Sequence, residues 1–156
     1  MKNKLSLLLI ALMLFLSCKK EPDSALINIE YSNTFFLKYE EIGIAEAVDF
    51  IFSTNSSLKE NSKDEIEVLK RQLVSTSSLL GNFMGYELIA NRNVGSSLQL
   101  LSYLVKYEKQ TLRFTFVYYK PDKRWVIQHF SFDGNLIEEL EESARVYLLN
   151  IYDENK

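Results

Sequence analysis

The apolar positions in the first part of the chain recur every three to four residues, which is the spacing of one face of a helix. Over residues 40–53 this spacing predicts a helix, and the polar residues 53–57 that follow predict a loop. A second helix is predicted between Ser62 and Gly81. It begins with Ser62-Lys63-Asp64-Glu65, in which the serine and the glutamate can bind free backbone N–H groups, and glycine frequently ends helices. Its apolar stripe consists of Ile66, Leu69, Leu73 and Leu80.

After Gly81 the apolar period changes to two, which is the alternation of strands with one packed face. Four strands and a final helix over residues 136–150 are predicted in this part of the chain. The strands cover residues 86–90, 97–107, 111–119 and 125–132. Helices that precede a run of adjacent strands indicate the α+β class. We therefore expect N-terminal helices packed on a curved antiparallel sheet of about four strands, followed by a C-terminal helix.

The single histidine, His129, lies on the fourth strand, and the turn around Pro121 decides which face it occupies. With a turn of two or four residues, even positions of the third strand pair with odd positions of the fourth and lie on the same face of the sheet. A three-residue turn would instead place His129 beside Arg113 and Thr115. The first pairing gives a candidate pocket that consists of Phe114, Phe116, Tyr118, Trp125, Ile127 and His129.

His129 is also the one candidate for a catalytic residue. Among aromatic side chains it would have a lowered pKa and could act as a general base near neutral pH. The ordinary alternative is a histidine that binds a backbone group or faces solvent, because a catalytic histidine normally has an orienting carboxylate. Asp133 is too far along the same strand to orient it directly.

Residues 1–20 have a different pattern, in which two lysines precede an apolar run from Leu5 to Leu16 that only Ser6 interrupts. The run has about twelve residues, whereas a membrane-spanning helix needs roughly twenty. A short apolar segment between a basic start and a small residue predicts a cleaved secretory signal peptide. Cys18, the only cysteine of the chain, follows this segment.

The segment Phe15-Leu16-Ser17-Cys18 resembles the cleavage site of bacterial lipoproteins, and the charged residues after it are similar to those of Bacteroidetes lipoproteins. The resemblance implies that residues 1–17 are a removed signal peptide and that Cys18 receives a diacylglyceryl group and acyl chains such as palmitate. Residues 18–26 would form a tether, and residues 27–156 a single domain. The implied location is the bacterial cell envelope, at the outer membrane and with surface exposure as a further option. The alternative is a soluble secreted protein cut near Ser17.

Charge and composition argue against several classes of partner and cofactor. The formal net charge is −3 and becomes more negative without the lysines of the signal, and the chain has no basic stripe that would suit nucleic acid. One histidine and one lipidated cysteine cannot supply a zinc site, and no glycine-rich phosphate loop occurs. We therefore expect no metal, no cofactor and no nucleic-acid partner. The partner that the sequence predicts is a membrane, through Cys18.

The stretches GNFMGYELI and SYLVKYEKQTLRFTFVYYKPDKRWVIQHFSFD resemble nuclear-transport-factor-2-like and cystatin-like domains. The resemblance implies a cone-shaped fold with a pocket between sheet and helices, and a homodimer through the outer sheet face. Tyr119, Arg124, Val117 and Val126 are expected on that face. We expect a non-enzymatic envelope lipoprotein that binds a small apolar ligand or an envelope protein. The alternative is an isomerase- or dehydratase-type enzyme that uses His129.

Overall fold

The computed structural model describes residues 24–153, with side chains over residues 26–146, so the expected signal peptide and Cys18 lie outside the described residues. The described chain folds as four helices, four strands and a fifth helix. The helices are α1 (Ser24–Glu41), α2 (Ile44–Ser53), α3 (Ser56–Asn61), α4 (Lys63–Leu80) and α5 (Leu136–Asp153). The strands are β1 (Phe83–Val94), β2 (Leu98–Tyr107), β3 (Thr111–Tyr119) and β4 (Val126–Asp133).

The strands form one curved, open antiparallel sheet in the order β1-β2-β3-β4, so each strand pairs with its neighbour in sequence. The α+β class, the N-terminal helices and the C-terminal helix are confirmed. Each strand was predicted, and β3 has the predicted bounds. Strand β1 is longer than expected at both ends, and its register shifts twice against β2. Such bulges increase the local bend and twist of a strand, which contributes to the curvature of the sheet.

The inner face of the sheet is filled by aromatic side chains. The ring of Phe35, on α1, lies 5.2 Å from the ring of Phe116 and 5.3 Å from that of Phe130. Its neighbour Phe36 stacks on Tyr86 at 3.8 Å between ring centroids. Pairs of this kind contribute about 0.5–1.5 kcal/mol each beyond the area they bury. The packing of α1 into the curved sheet therefore forms one part of the core, and α2 adds further buried residues such as Val48 and Ile51.

Helix α1 begins inside the region expected to be a tether and was not predicted as a helix. Its buried face includes the polar residues Asn28 and Ser32, both with 0% of their surface exposed. These side chains interrupt the apolar stripe that would have indicated a helix. Ser32 shares a hydrogen bond of 2.9 Å with the hydroxyl of Tyr118, and Asn28 donates to Gln99 at 2.6 Å. The sheet thus supplies the partners that make a polar helix face tolerable in the core.

The prediction of one helix over residues 40–53 was wrong, because the chain turns sharply at Gly43. Helix α1 ends at Glu41, and α2 begins after Gly43. Gly43 has a φ of +146°, a backbone conformation that residues with a side chain rarely adopt. Its N–H donates to the carbonyl of Lys38 at 2.9 Å, which closes the end of α1. The turn lets both helices place apolar residues in the same core.

The predicted loop over residues 53–57 and the predicted capping box also need correction. Of that stretch, Ser53 ends α2 and residues 56 and 57 begin the short helix α3, whose N-cap is Asn55. Ser62 ends α3, because its N–H donates to the carbonyl of Leu58 at 2.9 Å. It also precedes α4, but its side chain makes no capping hydrogen bond there. The end of α4 before Gly81 is confirmed.

Three hydroxyl groups join the helices to the sheet at one end of the core. Tyr39 of α1 and Ser77 of α4 share a hydrogen bond of 2.8 Å, and Ser77 also lies 3.2 Å from the hydroxyl of Tyr107 on β2. The two tyrosine hydroxyls are hydrogen-bonded to each other as well. Burial raises the pKa of Tyr39, Tyr107 and Tyr118 above the ordinary value. The folded state therefore favours the protonated hydroxyls.

This burial predicts a loss of stability at alkaline pH. An unfolded tyrosine loses its proton above about pH 10, whereas buried Tyr118 keeps its proton, so the free energy of unfolding falls as the pH rises. Below about pH 10 the group contributes no pH dependence. In urea unfolding between about pH 10 and 12, Tyr118→Phe should make the decline shallower by up to about 1.4 kcal/mol per pH unit. Tyr119→Phe is the matched control, because folding leaves Tyr119 open to solvent, and an equal effect of both variants would contradict the prediction.

Candidate functional site

An open groove lies between helix α4 and strand β4, at the edge of the sheet. Its volume is about 500 Å³. Phe52, Ile66 and Phe130 form its apolar floor, and each belongs to the buried core. Val68 and Leu69 extend the apolar surface up the wall that α4 provides. We call this cavity the α4–β4 groove. Its remaining lining residues are Leu58, Ser62, Asp64, Glu65, Gln72, Gln128 and His129.

The rim of the α4–β4 groove is polar and carries negative charge. Asp64 and Glu65 lie in the first turn of α4 and are exposed. On the opposite rim lie Gln128 and His129, also exposed. Among the described lining residues none is a lysine or an arginine. The groove therefore offers an apolar floor below an acidic rim.

A one-residue bulge on β4 decides the position of His129. Tyr118 pairs with Ile127, as the even–odd pairing predicted, but Val117 pairs with His129, so Gln128 has no partner of its own on β3. Beyond Gln128, odd positions of β3 pair with odd positions of β4, and even positions pair with even ones. His129 therefore lies on the outer face of the sheet with Thr115 and Arg113, as the alternative pairing would place it. The cause is the bulge, because an extra residue moves every later side chain to the opposite face.

The other residues of the candidate pocket lie together in the core and do not line the groove. Phe114, Phe116, Tyr118 and Ile127 have 0% of their surface exposed, and Trp125 is also buried. The rings of Phe35 and Phe36 fill the space between them and α1. Of the six residues, His129 alone borders a described cavity. What was expected to be a pocket inside the sheet is a packed core.

The edge of β4 is protected at one end by the turn between α2 and α3. Ile127 N–H donates to the hydroxyl of Thr54 at 3.0 Å, and the carbonyl of Ile127 accepts from the side-chain amide of Asn55 at 2.8 Å. The amide oxygen of Asn55 also accepts from Leu58 N–H at 3.1 Å, which caps α3. One side chain thus joins a helix start to the edge strand.

A second cavity, of about 380 Å³, lies on the other side of α4 and is lined mainly by charged residues. Its central group, Lys70, is 2.8 Å from a carboxylate oxygen of Asp49 and 2.7 Å from one of Glu67. Burial lowers the pKa of Lys70, but these hydrogen bonds outweigh it and raise the pKa overall. Because Lys70 is paired with both carboxylates, we interpret this cluster as a structural ion pair that joins α2 and α4.

A third cavity, of about 400 Å³, lies on the outer face where α5 begins. Arg113 borders it and binds Asp133 at 3.0 Å and Glu139 at 2.5 Å, which ties the first turns of α5 to the sheet. On the same face Tyr119 pairs with Val126, as expected for the surface proposed to form a dimer.

Over residues 24–153, no helix combines the length and the apolar character needed to cross a bilayer. In the same part of the chain, no three metal-ligating side chains lie close enough together to hold an ion. Comparison of the chain with protein-family models, with curated proteins and with solved structures finds no match. The α4–β4 groove must therefore be interpreted from its own chemistry.

Sequence reasoning did not find this groove, although one signal for it was present. The apolar stripe of α4 was assigned to Ile66, Leu69 and Leu73. Val68 lies off that stripe and is 42% exposed. With 3.6 residues per turn, Val68 lies on the side of α4 away from Ile66, so its apolar side chain does not belong to the buried face. The partner wall on β4 could not be found in this way, because it depends on the bulge.

The double role of Asn55 predicts a measurable loss of stability in Asn55→Ala. The variant removes the cap of α3 and leaves the carbonyl of Ile127 without its donor, so the free energy of unfolding should fall by about 1–3 kcal/mol. Urea unfolding at neutral pH measures the change. Asn61→Ala, at the exposed end of α3, is the control and should change stability by less than about 0.5 kcal/mol. Equal losses in the two variants would show that Asn55 has no special role.

Proposed function

We propose that the chain is a lipid-anchored, non-enzymatic binding protein of the bacterial cell envelope. Its recognition site is the α4–β4 groove, which holds an apolar ligand or an apolar segment of an envelope protein. The observation that carries this proposal is the contrast between a packed interior and an open apolar groove beside it. On the inner face of the sheet, Phe35 and Phe36 pack against the rings of β3.

The dimensions and the support of the groove agree with a binding role. Ligand sites usually have volumes of roughly 300–1,000 Å³ and a mainly apolar lining with a few polar groups, and the groove of about 500 Å³ lies within that range. Its floor consists of core residues such as Phe52 and Ile66, whose positions are fixed by packing. A ligand would therefore meet a preformed surface, which reduces the entropy cost of binding.

The anchor is supported by the sequence around Cys18. Acyl chains contribute about 0.8 kcal/mol per buried CH₂ group, so the two or three chains of a lipoprotein cysteine would hold the domain at the membrane. Because α1 begins at Ser24, few residues separate Cys18 from the folded domain. The α4–β4 groove would therefore meet its ligand close to the bilayer surface.

The isomerase-type alternative finds less support than binding. A histidine that acts as a general base needs an orienting group and a site from which water can be excluded. His129 is exposed at the rim of an open groove, and among the described residues the structure records no hydrogen bond between it and a carboxylate. Binding requires neither feature, so the groove favours it.

The anchor can be tested by Cys18→Ala. Without the thiol no acyl chain can be attached, so incorporation of radiolabelled palmitate should be abolished and the protein should no longer fractionate with lipidated envelope proteins. Ser17→Ala is the matched control, because alanine is also small and should leave both processing and labelling in place. Undiminished palmitate labelling of Cys18→Ala would contradict the anchor.

The groove can be tested with two valines of the same helix. Val68 lines the groove and is 42% exposed, whereas Val74 does not line it and is 46% exposed. Binding of fluorobenzene, followed by its fluorine NMR line width in detergent micelles that carry the lipidated protein, should weaken about fivefold in Val68→Gln, which corresponds to about 1 kcal/mol. Val74→Gln should bind as the parent chain does, and micelles without protein give the blank. Equal behaviour of the two variants would overturn the assignment of the groove.

A further inference from the structure

Strand β4 is an edge strand, since the sheet order places β3 on one side of it and no strand on the other. An edge strand has unpaired N–H and C=O groups that can pair with another extended chain. Whether they can do so depends on which residues point outward and on what covers them. Both points follow from the hydrogen bonds of the sheet.

The hairpin between β2 and β3 fixes the direction of the backbone groups. Tyr107 N–H donates to the carbonyl of Gln110 at 3.1 Å, so these two residues form a hydrogen-bonded pair. Such pairs alternate with non-bonded pairs along an antiparallel ladder. Phe114 and Phe116 of β3 therefore bond to β2, and the intervening Thr115 and its outer-face neighbours bond to β4.

Those outer-face residues of β3 pair with His129, Ser131 and Asp133 of β4. The backbone N–H and C=O groups of these three β4 residues are therefore hydrogen-bonded to β3. Phe130 and Phe132, which lie between them, must point their N–H and C=O groups to the free edge. The same alternation holds before the bulge, where the N–H and C=O groups of Ile127 point to the free edge and are bound there by the side chains of Thr54 and Asn55. This agreement supports the assignment.

The protection of the edge stops at the bulge. Thr54 and Asn55 bind the N–H and the carbonyl of Ile127. In the part of the chain that the structure describes, no side chain is recorded that does the same for Phe130 or Phe132. Phe130 also borders the α4–β4 groove. The unprotected backbone groups of Phe130 and the apolar floor therefore belong to the same surface, and Phe132 lies two residues further along the same edge.

The charge of the rim indicates what kind of chain fits. Asp64 and Glu65 lie opposite the β4 rim, without a lysine or arginine among the described lining residues. A basic residue in the occupant would meet these carboxylates, whereas a second copy of this chain would bring its own acidic rim close to them and be repelled. A small apolar ligand could fill the floor but could not bond to the donors and acceptors of the edge.

We propose that the α4–β4 groove binds an extended, basic and apolar segment of a partner protein, which adds to the sheet as a fifth strand beside β4. The segment pairs with the backbone of Phe130 and Phe132, whose groups are spaced at about 6.6 Å along the strand. Alternate side chains of the segment fill the floor, and a lysine or arginine reaches Asp64 or Glu65. This inference rests on the proposed function and specifies its ligand.

The probe is a display library of random peptides of about twelve residues, long enough for one strand with flanks. Selection on the lipidated chain in micelles should enrich peptides that alternate apolar and polar residues and contain lysine or arginine. The best peptide is then made with N-methyl groups on one or the other set of alternate residues. Methylation of the set that faces β4 should weaken binding at least about tenfold, and methylation of the other set less than about twofold.

Charge provides a second measurement on the protein itself. Glu65→Gln should weaken peptide binding about threefold to tenfold at low salt, and the difference should shrink at high salt because screening removes it. Glu46→Gln is the matched control, since Glu46 is an exposed acid in the first turn of α2 outside the groove. Glu46→Gln should bind the peptide as the parent chain does.

The outcomes separate this inference from the proposed function. If no peptide is enriched, or if both methylated forms bind alike, strand addition is wrong even where Val68→Gln still weakens fluorobenzene binding. Enrichment of purely apolar peptides, indifferent to Glu65→Gln, would overturn the acidic rim as a determinant. If Val68→Gln affects neither fluorobenzene nor peptide, the groove itself is wrong and both proposals fail. Self-association of the chain that competes with the peptide would identify a second copy as the occupant and would also overturn the proposal.

Discussion

The contact between α1 and the inner face of the sheet determines how the rest of the molecule is arranged. Phe35 and Phe36 place two adjacent rings into the curve formed by β1 to β4, where they contact Phe114, Phe116 and Phe130. Because this space is filled, the sheet needs no ligand to complete its core. The proposed binding site accordingly lies at the periphery, where Val68 and Leu69 extend the apolar surface beside β4.

The hydroxyl and amide groups within this core have a different role from the rings. Ring packing is tolerant of small rotations, whereas the bonds from Ser32 to Tyr118 and from Tyr39 to Ser77 require particular positions. Buried polar groups that are paired in this way favour one arrangement of helix and sheet over similar ones, since each alternative leaves a group unpaired. The same groups explain why α1 looks unlike a core helix in sequence.

Much of the fold could be predicted from apolar spacing, because strands β2 to β4, helix α4 and helix α5 each have one clear face. The spacing failed where polar residues are buried, as at Asn28, and where a single glycine separates two helices. For the candidate site, the sequence identified the strand that carries His129 but not its face. That face depends on the bulge at Gln128. The strand is too short for its alternating pattern to reveal one extra residue. The opposite wall required knowing that α4 packs beside β4, which is a long-range contact.

The bonds that Thr54 and Asn55 make to Ile127 have a consequence for how the protein behaves when it is crowded on a surface. An open strand edge can recruit further edges one after another, and lipid anchoring would raise the local concentration at which this occurs. Here the turn between α2 and α3 blocks the edge on one side of the bulge, so an added strand can be only a few residues long. The same turn that caps α3 therefore limits how much of the β4 edge can pair with another chain, which reduces the capacity of this edge for polymerisation.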